Sequence, residues 1–155
     1  MIRPAALADV PRMVELSERT RSQLATYLPT FWRKAENSAA AQTVYFNDLI
    51  EQGEAILRVH ETDSGIDGFI IALLINAPPV YDPGGLTCLI DDFCVAHDED
   101  WLTVGRELLD AAITAAREHG AVQVAVICPD RYDAKRELLA AEGLVIGSSW
   151  HIGDL

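Results

Sequence analysis

Apolar positions recur at helical spacing in several stretches of the chain. Val10, Met13, Val14, Leu24 and Leu28 follow one such stripe. Asp9 precedes it as an N-cap, Pro11 stands in its first turn, and Pro29 follows it, so residues 9–27 are expected to form a helix. A second helix is expected over residues 38–52, closed by Gly53. Leu102, Gly105, Leu108, Leu109, Ala112, Ile113 and Ala116 mark one face of a third, which ends at Gly120. A short fourth helix is expected over 133–142, with Gly143 as its C-terminal glycine.

Elsewhere the period is that of strands. A short extended start at residues 2–4 is followed by candidate strands at 55–61, 69–76, 86–96, 121–128 and 144–152, the last broken at Gly147. Residues 64–68 read as a turn. Residues 77–85 (APPVYDPGG) hold three prolines and two glycines and read as a loop. The stretch 86–96 (LTCLIDDFCVA) is apolar on both faces except at Asp91 and Asp92, which places it inside a sheet. The order is β-α-α-β-β-β-α-β-α-β. Hairpin-linked strands pair antiparallel, and strands joined through a helix pair parallel. The expected fold is α+β (α/β): a mixed, mostly antiparallel central sheet with helices on both faces. With 155 residues, the chain reads as a single domain over 1–155.

Charge narrows the function. There are 24 acidic and 12 basic residues, a net charge of −12. Residues 1–60 hold seven of each sign, so the excess lies entirely in 61–155. A nucleic acid or an anionic membrane surface is therefore excluded as a partner, and the acidic half reads either as a plain solvated surface or as one that attracts a cation such as an amine. No apolar run is long enough to span a membrane, and the N-terminus lacks the apolar core of a signal peptide. Cys88, Cys94 and Cys128 lie in apolar segments and are odd in number, which predicts reduced thiols and a cytoplasmic location. Neither the cysteines nor the histidines have metal-ligand spacing, so no metal is expected. Two carboxylates in an apolar strand are costly to bury without partners. They point to opposite faces, so at most one meets a given ligand.

The element order resembles that of the GCN5-related N-acetyltransferase (GNAT) superfamily over nearly the whole chain. IRPAALADVPRMVEL resembles the family's first strand and helix. LIDDFCVAHDEDWLTVGRELLDAAITAAREHG resembles its acetyl-CoA motif, and AVQVAVICPDRYDAKRELLAAEGLVI resembles the strand, helix and glycine that follow. The resemblance implies an acyl-CoA-dependent N-acetyltransferase with acetyl-CoA as co-substrate. The acceptor would be a small-molecule or peptide amine that attacks the thioester directly. It also implies that backbone at Phe93, Cys94 and Val95 meets the pantetheine arm. A pyrophosphate cradle would form over Leu102, Thr103, Val104, Gly105 and Arg106, where helix-terminal N–H groups bind anions. Asp91 or Asp92 would take the amine's proton, Asp91 being slightly preferred by similarity. Acceptor contacts would come from Tyr27, Phe31, Trp32 and Tyr81. Members often form homodimers.

The chain departs from the family pattern at three places. Asp100 stands where a basic or amide residue belongs, Thr103 where the first loop glycine belongs, and Leu139 where a tyrosine often protonates the leaving thiolate. Two alternatives follow from these departures. One is a weak or inactive binding or regulatory domain of the same fold. The other is a site for an acyl carrier without the adenosine 3′-phosphate.

Overall fold

The computed structural model describes residues 1–155. Five strands form one sheet in the order β1-β2-β3-β4-β5: Ile2–Pro4, Ile56–Thr62, Gly65–Ile75, Leu86–Val95 and Ala121–Val126. The first four pair antiparallel, while β4 and β5 pair parallel. Four helices cover the sheet: α1 (Val10–Tyr27), α2 (Ser38–Gln52), α3 (Arg106–Glu118) and α4 (Asp133–Ala141). This is the mixed, mostly antiparallel α+β architecture expected from the element order.

Alternation along the strands makes two cores. Phe69 and Ile71 of β3, with Cys94 of β4, meet Val10, Met13, Leu16 and Phe46 of α1 and α2. Ile70 and Ala72, with Ile90 and Phe93, meet Leu108, Leu109, Ala112 and Leu138 of α3 and α4. The β3–β4 register shifts between Ile70 and Ala72, where Asp91 and Asp92 of β4 together stand opposite Ile71 in a β-bulge. The glycine at the end of α2, Gly53, adopts a left-handed φ of 69°, as its place predicts. No helix is long and apolar enough to cross a membrane, and no group of three or more His, Cys, Asp or Glu side chains is placed to hold a metal.

Three expectations are corrected. Asp9 does not cap α1 with its side chain. Its carboxylate instead accepts two hydrogen bonds from Arg3, at 2.7 and 2.9 Å, and one from the Ala6 N–H. A buried Asp gains more from a forked guanidinium than from one amide. The turn expected at 64–68 is confined to Asp63-Ser64, and β3 starts at Gly65. The last expected strand, 144–152, does not form: the segment has no regular structure, and Val145, Ile146 and Trp150 are exposed. The outer edge of β5 is consequently unpaired, and Val122 on it is exposed.

Candidate active site

The sheet opens between β4 and β5. Their pairing runs from Leu86–Ala121 to Ile90–Val126 and ends with the Ile127 N–H donating to the Ile90 carbonyl at 2.8 Å. Beyond that point β4 continues to Val95, paired only with β3. Backbone at Phe93, Cys94 and Val95 therefore borders an opening that no strand fills. Two cavities occupy this region, of about 520 and 640 Å³. Thr20 and Tyr132 line both, so the two adjoin.

The smaller cavity contains the chemistry. Asp91 and Asp92 both line it, against the expectation that at most one would meet a given ligand, because the register shift in β4 breaks the alternation of faces there. Asp91 is exposed, whereas Asp92 is half-buried and accepts a 2.9 Å hydrogen bond from Gln42 Nε2 of α2. Burial, helped by the neighbouring Asp91 charge, pushes the Asp92 carboxyl up to about 6. Ser17 and Gln42 line the same cavity. The Ser17 Oγ and Gln42 Oε1 atoms are themselves buried, the Ser17 hydroxyl beside the Cys94 thiol. Trp32, Tyr45 and Leu24 supply the apolar wall.

Lys135 of α4 closes the inner end. It is 3 % exposed. Its Nζ lies 5.2 Å from the Phe93 ring centre and 5.6 Å from that of Trp101. Trp101 packs edge-on against Phe93 at 4.8 Å and Tyr132 at 5.5 Å. Tyr132 donates its hydroxyl hydrogen to Asp98 at 3.1 Å, and burial raises its ionisation well above the ordinary phenol range. The thiol of Cys94 is buried and pushed up by desolvation, which makes it inert.

The approach to α3 fits phosphate poorly. Trp101–Gly105 forms a π-helical turn before α3. Leu102 is partly buried, Val104 is buried, and Thr103 is exposed and donates to the Asp100 carbonyl at 3.2 Å. A Cβ on Gly105 would stand 2.9 Å from Trp101 Cε3 and 3.2 Å from Leu138. That glycine therefore makes room for a ring, not for an anion. Arg106, the local cation, is bound by Glu142 at 2.6 Å. Asp98 and Glu99 line the larger cavity with Glu15 and Glu18. Arg19 and His97 line that cavity beside the four carboxylates.

Of the residues expected from sequence, Asp91, Asp92, Phe93, Cys94 and Trp32 come together in the smaller cavity and Val95 in the larger. Tyr27, Phe31 and Tyr81 line neither. Phe31 packs edge-on against Trp32 and Trp150, and Tyr81 stands exposed in its loop. Sequence reasoning missed Ser17, Gln42 and Lys135. A signal for two of them existed: Gln42 lies four residues before Phe46, and Lys135 three before Leu138, each a polar residue on a buried helical stripe. Leu139, where the family often has a tyrosine, packs against the core.

No protein-family model and no curated protein matches the sequence. Solved structures do match. A point mutant of the BH1408 protein from Bacillus halodurans superposes with a TM-score of 0.87 at 17 % identity, covering 100 % of this chain and 99 % of that one. A predicted acetyltransferase from Clostridium acetobutylicum, crystallised with acetyl-CoA, superposes with a TM-score of 0.75 at 16 % identity over 99 % and 95 %. A ribosomal-protein-alanine N-acetyltransferase from Brucella melitensis biovar Abortus 2308 gives 0.65 at 19 % over 100 % and 99 %. With its antiparallel strands, its parallel β4–β5 pair and the opening between them, the chain has the fold of the GCN5-related N-acetyltransferases.

Proposed function

We propose that the protein transfers an acyl group, acetyl in the simplest case, from a CoA thioester to a small cationic amine or a peptide amine. The observation that carries this reading is the pair of carboxylates, Asp91 and Asp92, on the wall of the smaller cavity beside the free edge of β4. An ammonium has three N–H donors and no acceptor. Asp91 and Asp92 offer carboxylate oxygens to those donors, with the Gln42 side chain beside Asp92. Trp32 and Tyr45 add aromatic surface for a cation.

The chemistry follows from the same groups. An ammonium is not a nucleophile until it loses a proton. Asp92, with its carboxyl held at about 6, is ionised at neutral pH and basic enough to take that proton. It is preferred over Asp91, which is exposed and has no partner comparable to Gln42. The thioester arm would lie along Phe93–Val95, where the β4 edge is free. The solved relative crystallised with acetyl-CoA supports that donor.

Calorimetric titration of acetyl-CoA, followed by a screen of polyamines and peptide amines for thiol release, tests the reading. Micromolar binding and turnover that falls about 10²–10⁴-fold in Asp92→Asn are the expected results. One observation favours a second reading. Arg106 is tied to Glu142, and four carboxylates against one arginine, Arg19, line the larger cavity, as expected of a domain that binds an amine without CoA. Amine binding with no acetyl-CoA binding at millimolar concentration would decide for it.

A further inference from the structure

Acyl transfer needs a second proton. As the amine attacks the thioester carbon, the C–S bond breaks and its electron pair moves to sulfur. An alkyl thiolate leaves slowly unless a proton meets it. Leu139 has nothing to give. We infer that Lys135 donates that proton from Nζ to the departing sulfur. This inference rests on the acyl-transfer reading of the same cavity.

Placement is the first support. Lys135 lines the cavity that holds Asp91, Asp92 and Cys94, at the point where β4 and β5 separate. Its side chain comes from α4, on the opposite side of the opening from Gln42 and Ser17 of α2 and α1. An amine held by Asp92 and a sulfur beside Lys135 would flank one carbonyl carbon. Second, the cation is unspent. Lys135 takes part in none of the ten ion pairs of the chain. The faces of Phe93 and Trp101 approach it, with Cys94, Cys128, Asp91 and Asp92 close enough to act on its charge, and ring quadrupoles offset part of the desolvation of a buried ammonium. A purely structural residue on this stripe would be served by Leu or Met without that penalty. Third, the neighbouring hydroxyl is engaged, because the Tyr132 proton is donated to Asp98. Burial also pushes the Lys135 ammonium down from its ordinary range, toward that of an alkyl thiol.

The protons balance. Asp92 first takes the ammonium's proton and passes it through cavity water to solvent. As the neutral amine attacks, Asp92 takes a second proton from nitrogen, Lys135 loses one to sulfur, and cavity water carries one from Asp92 back to Lys135. Ammonium and thioester become amide, thiol and one released proton, with no other reactant.

Two measurements test this. The first is the ionisation of bound CoA, followed through thiolate absorbance as pH is varied, in wild type, Lys135→Met and Lys135→Arg. The titratable or charged groups facing the site are Asp91, Asp92 and Cys94 of β4, Cys128 and Tyr132 of the β5–α4 segment, Arg21 of α1 and Tyr45 of α2. They are common to all three proteins. A cation at Nζ should lower the bound thiol's pKa by about one unit, or tenfold more thiolate at a given pH, in wild type and Lys135→Arg but not in Lys135→Met. The second compares acetyl-CoA with the acetyl thioester of an acidic aryl thiol, whose thiolate needs no proton to leave. Lys135→Arg keeps the charge but donates poorly. It should lose at least about tenfold more turnover on acetyl-CoA than on the aryl thioester. This arm still decides the matter if Lys135→Met fails to fold. Bound CoA that ionises like free CoA in wild type, or equal losses on both donors, overturns the inference and leaves acyl transfer standing. No CoA binding at all overturns both.

Discussion

Replacing Asp92 with Asn should make the protein more stable, and under the proposed acyl transfer it would remove the base. Asp92 ionises at about 6 in the folded chain against 3.8 ordinarily, because burial disfavours its charged form. The folded state therefore binds more protons than the unfolded state between those values, and this group's contribution becomes unfavourable as pH rises through that window. At about 1.4 kcal/mol per pH unit, the unfavourable contribution is about 1 kcal/mol near pH 4.5 and approaches about 3 kcal/mol near pH 7.5. Asn keeps the size and can still accept the Gln42 hydrogen bond, but carries no charge. Urea unfolding of both proteins at the two pH values isolates the effect, since all other carboxylates are shared. The expected gain from Asp92→Asn is about 1–3 kcal/mol at the higher pH, and roughly 1 kcal/mol or less at the lower. In thermal unfolding the larger gain corresponds to roughly 3–10 °C. A loss of stability at the higher pH would refute the reasoning. It would mean that Asp92 is held by a favourable charge pair, with Lys135 as the available cation, and not poised as a base.

Glu142→Gln should release Arg106 from its 2.6 Å pair and tighten acetyl-CoA binding about threefold to tenfold by calorimetry, an effect that added salt weakens. Gly105→Ala drives a methyl into Trp101 and Leu138. It should destabilise the fold by about 1–3 kcal/mol in urea and red-shift the tryptophan emission. Asp9→Asn breaks the forked Arg3 contact and should cost about 1–3 kcal/mol at neutral pH. Because Arg3 holds the Asp9 carboxyl below its ordinary range, that contribution is present at neutral pH and is lost as pH falls through the lowered value. The difference between wild type and variant should therefore shrink in acid. Deleting residues 145–155, most of them exposed, should change the urea midpoint little.

Element order was legible because periodicity reports which face is buried, and burial is what fixes these helices and strands. The stripes of α1, α3 and α4 and the alternation in the strands placed four helices and five strands in the right order, with ends off by up to four residues at the start of β3. The same logic failed at 144–152. Leu144, Val145 and Ile146 look like a strand, but a strand also needs a partner, and pairing is a non-local property that periodicity does not carry. Asp9 misled for a related reason: a carboxylate at a helix start reads as a cap, while its guanidinium partner sits on β1. In the site, Asp91 and Asp92 stood out as charges in an apolar strand. Which one is buried depends on Gln42, fifty residues earlier. Ser17, Gln42 and Lys135 are ordinary surface residue types, and only their place on buried stripes distinguishes them.

The two halves of the opening differ in what they are made of. The thioester half depends on backbone: β4 runs past the last β5 pair and leaves an edge that any side chains permit. The phosphate half depends on residue identity, on small residues before α3 and on free positive charge. Here that place holds Thr103, a Gly105 committed to Trp101, and an Arg106 committed to Glu142. Divergence in sequence therefore erodes the second half first. A thioester held mainly by its pantetheine arm loses the anchoring energy of the phosphates, and the reacting end must supply more of the orientation. Asp92 on one side of the cavity and Lys135 on the other are placed to do that. Truncated donors such as an N-acetylcysteamine thioester should then lose far less relative to acetyl-CoA here than in a relative whose phosphate cradle is intact.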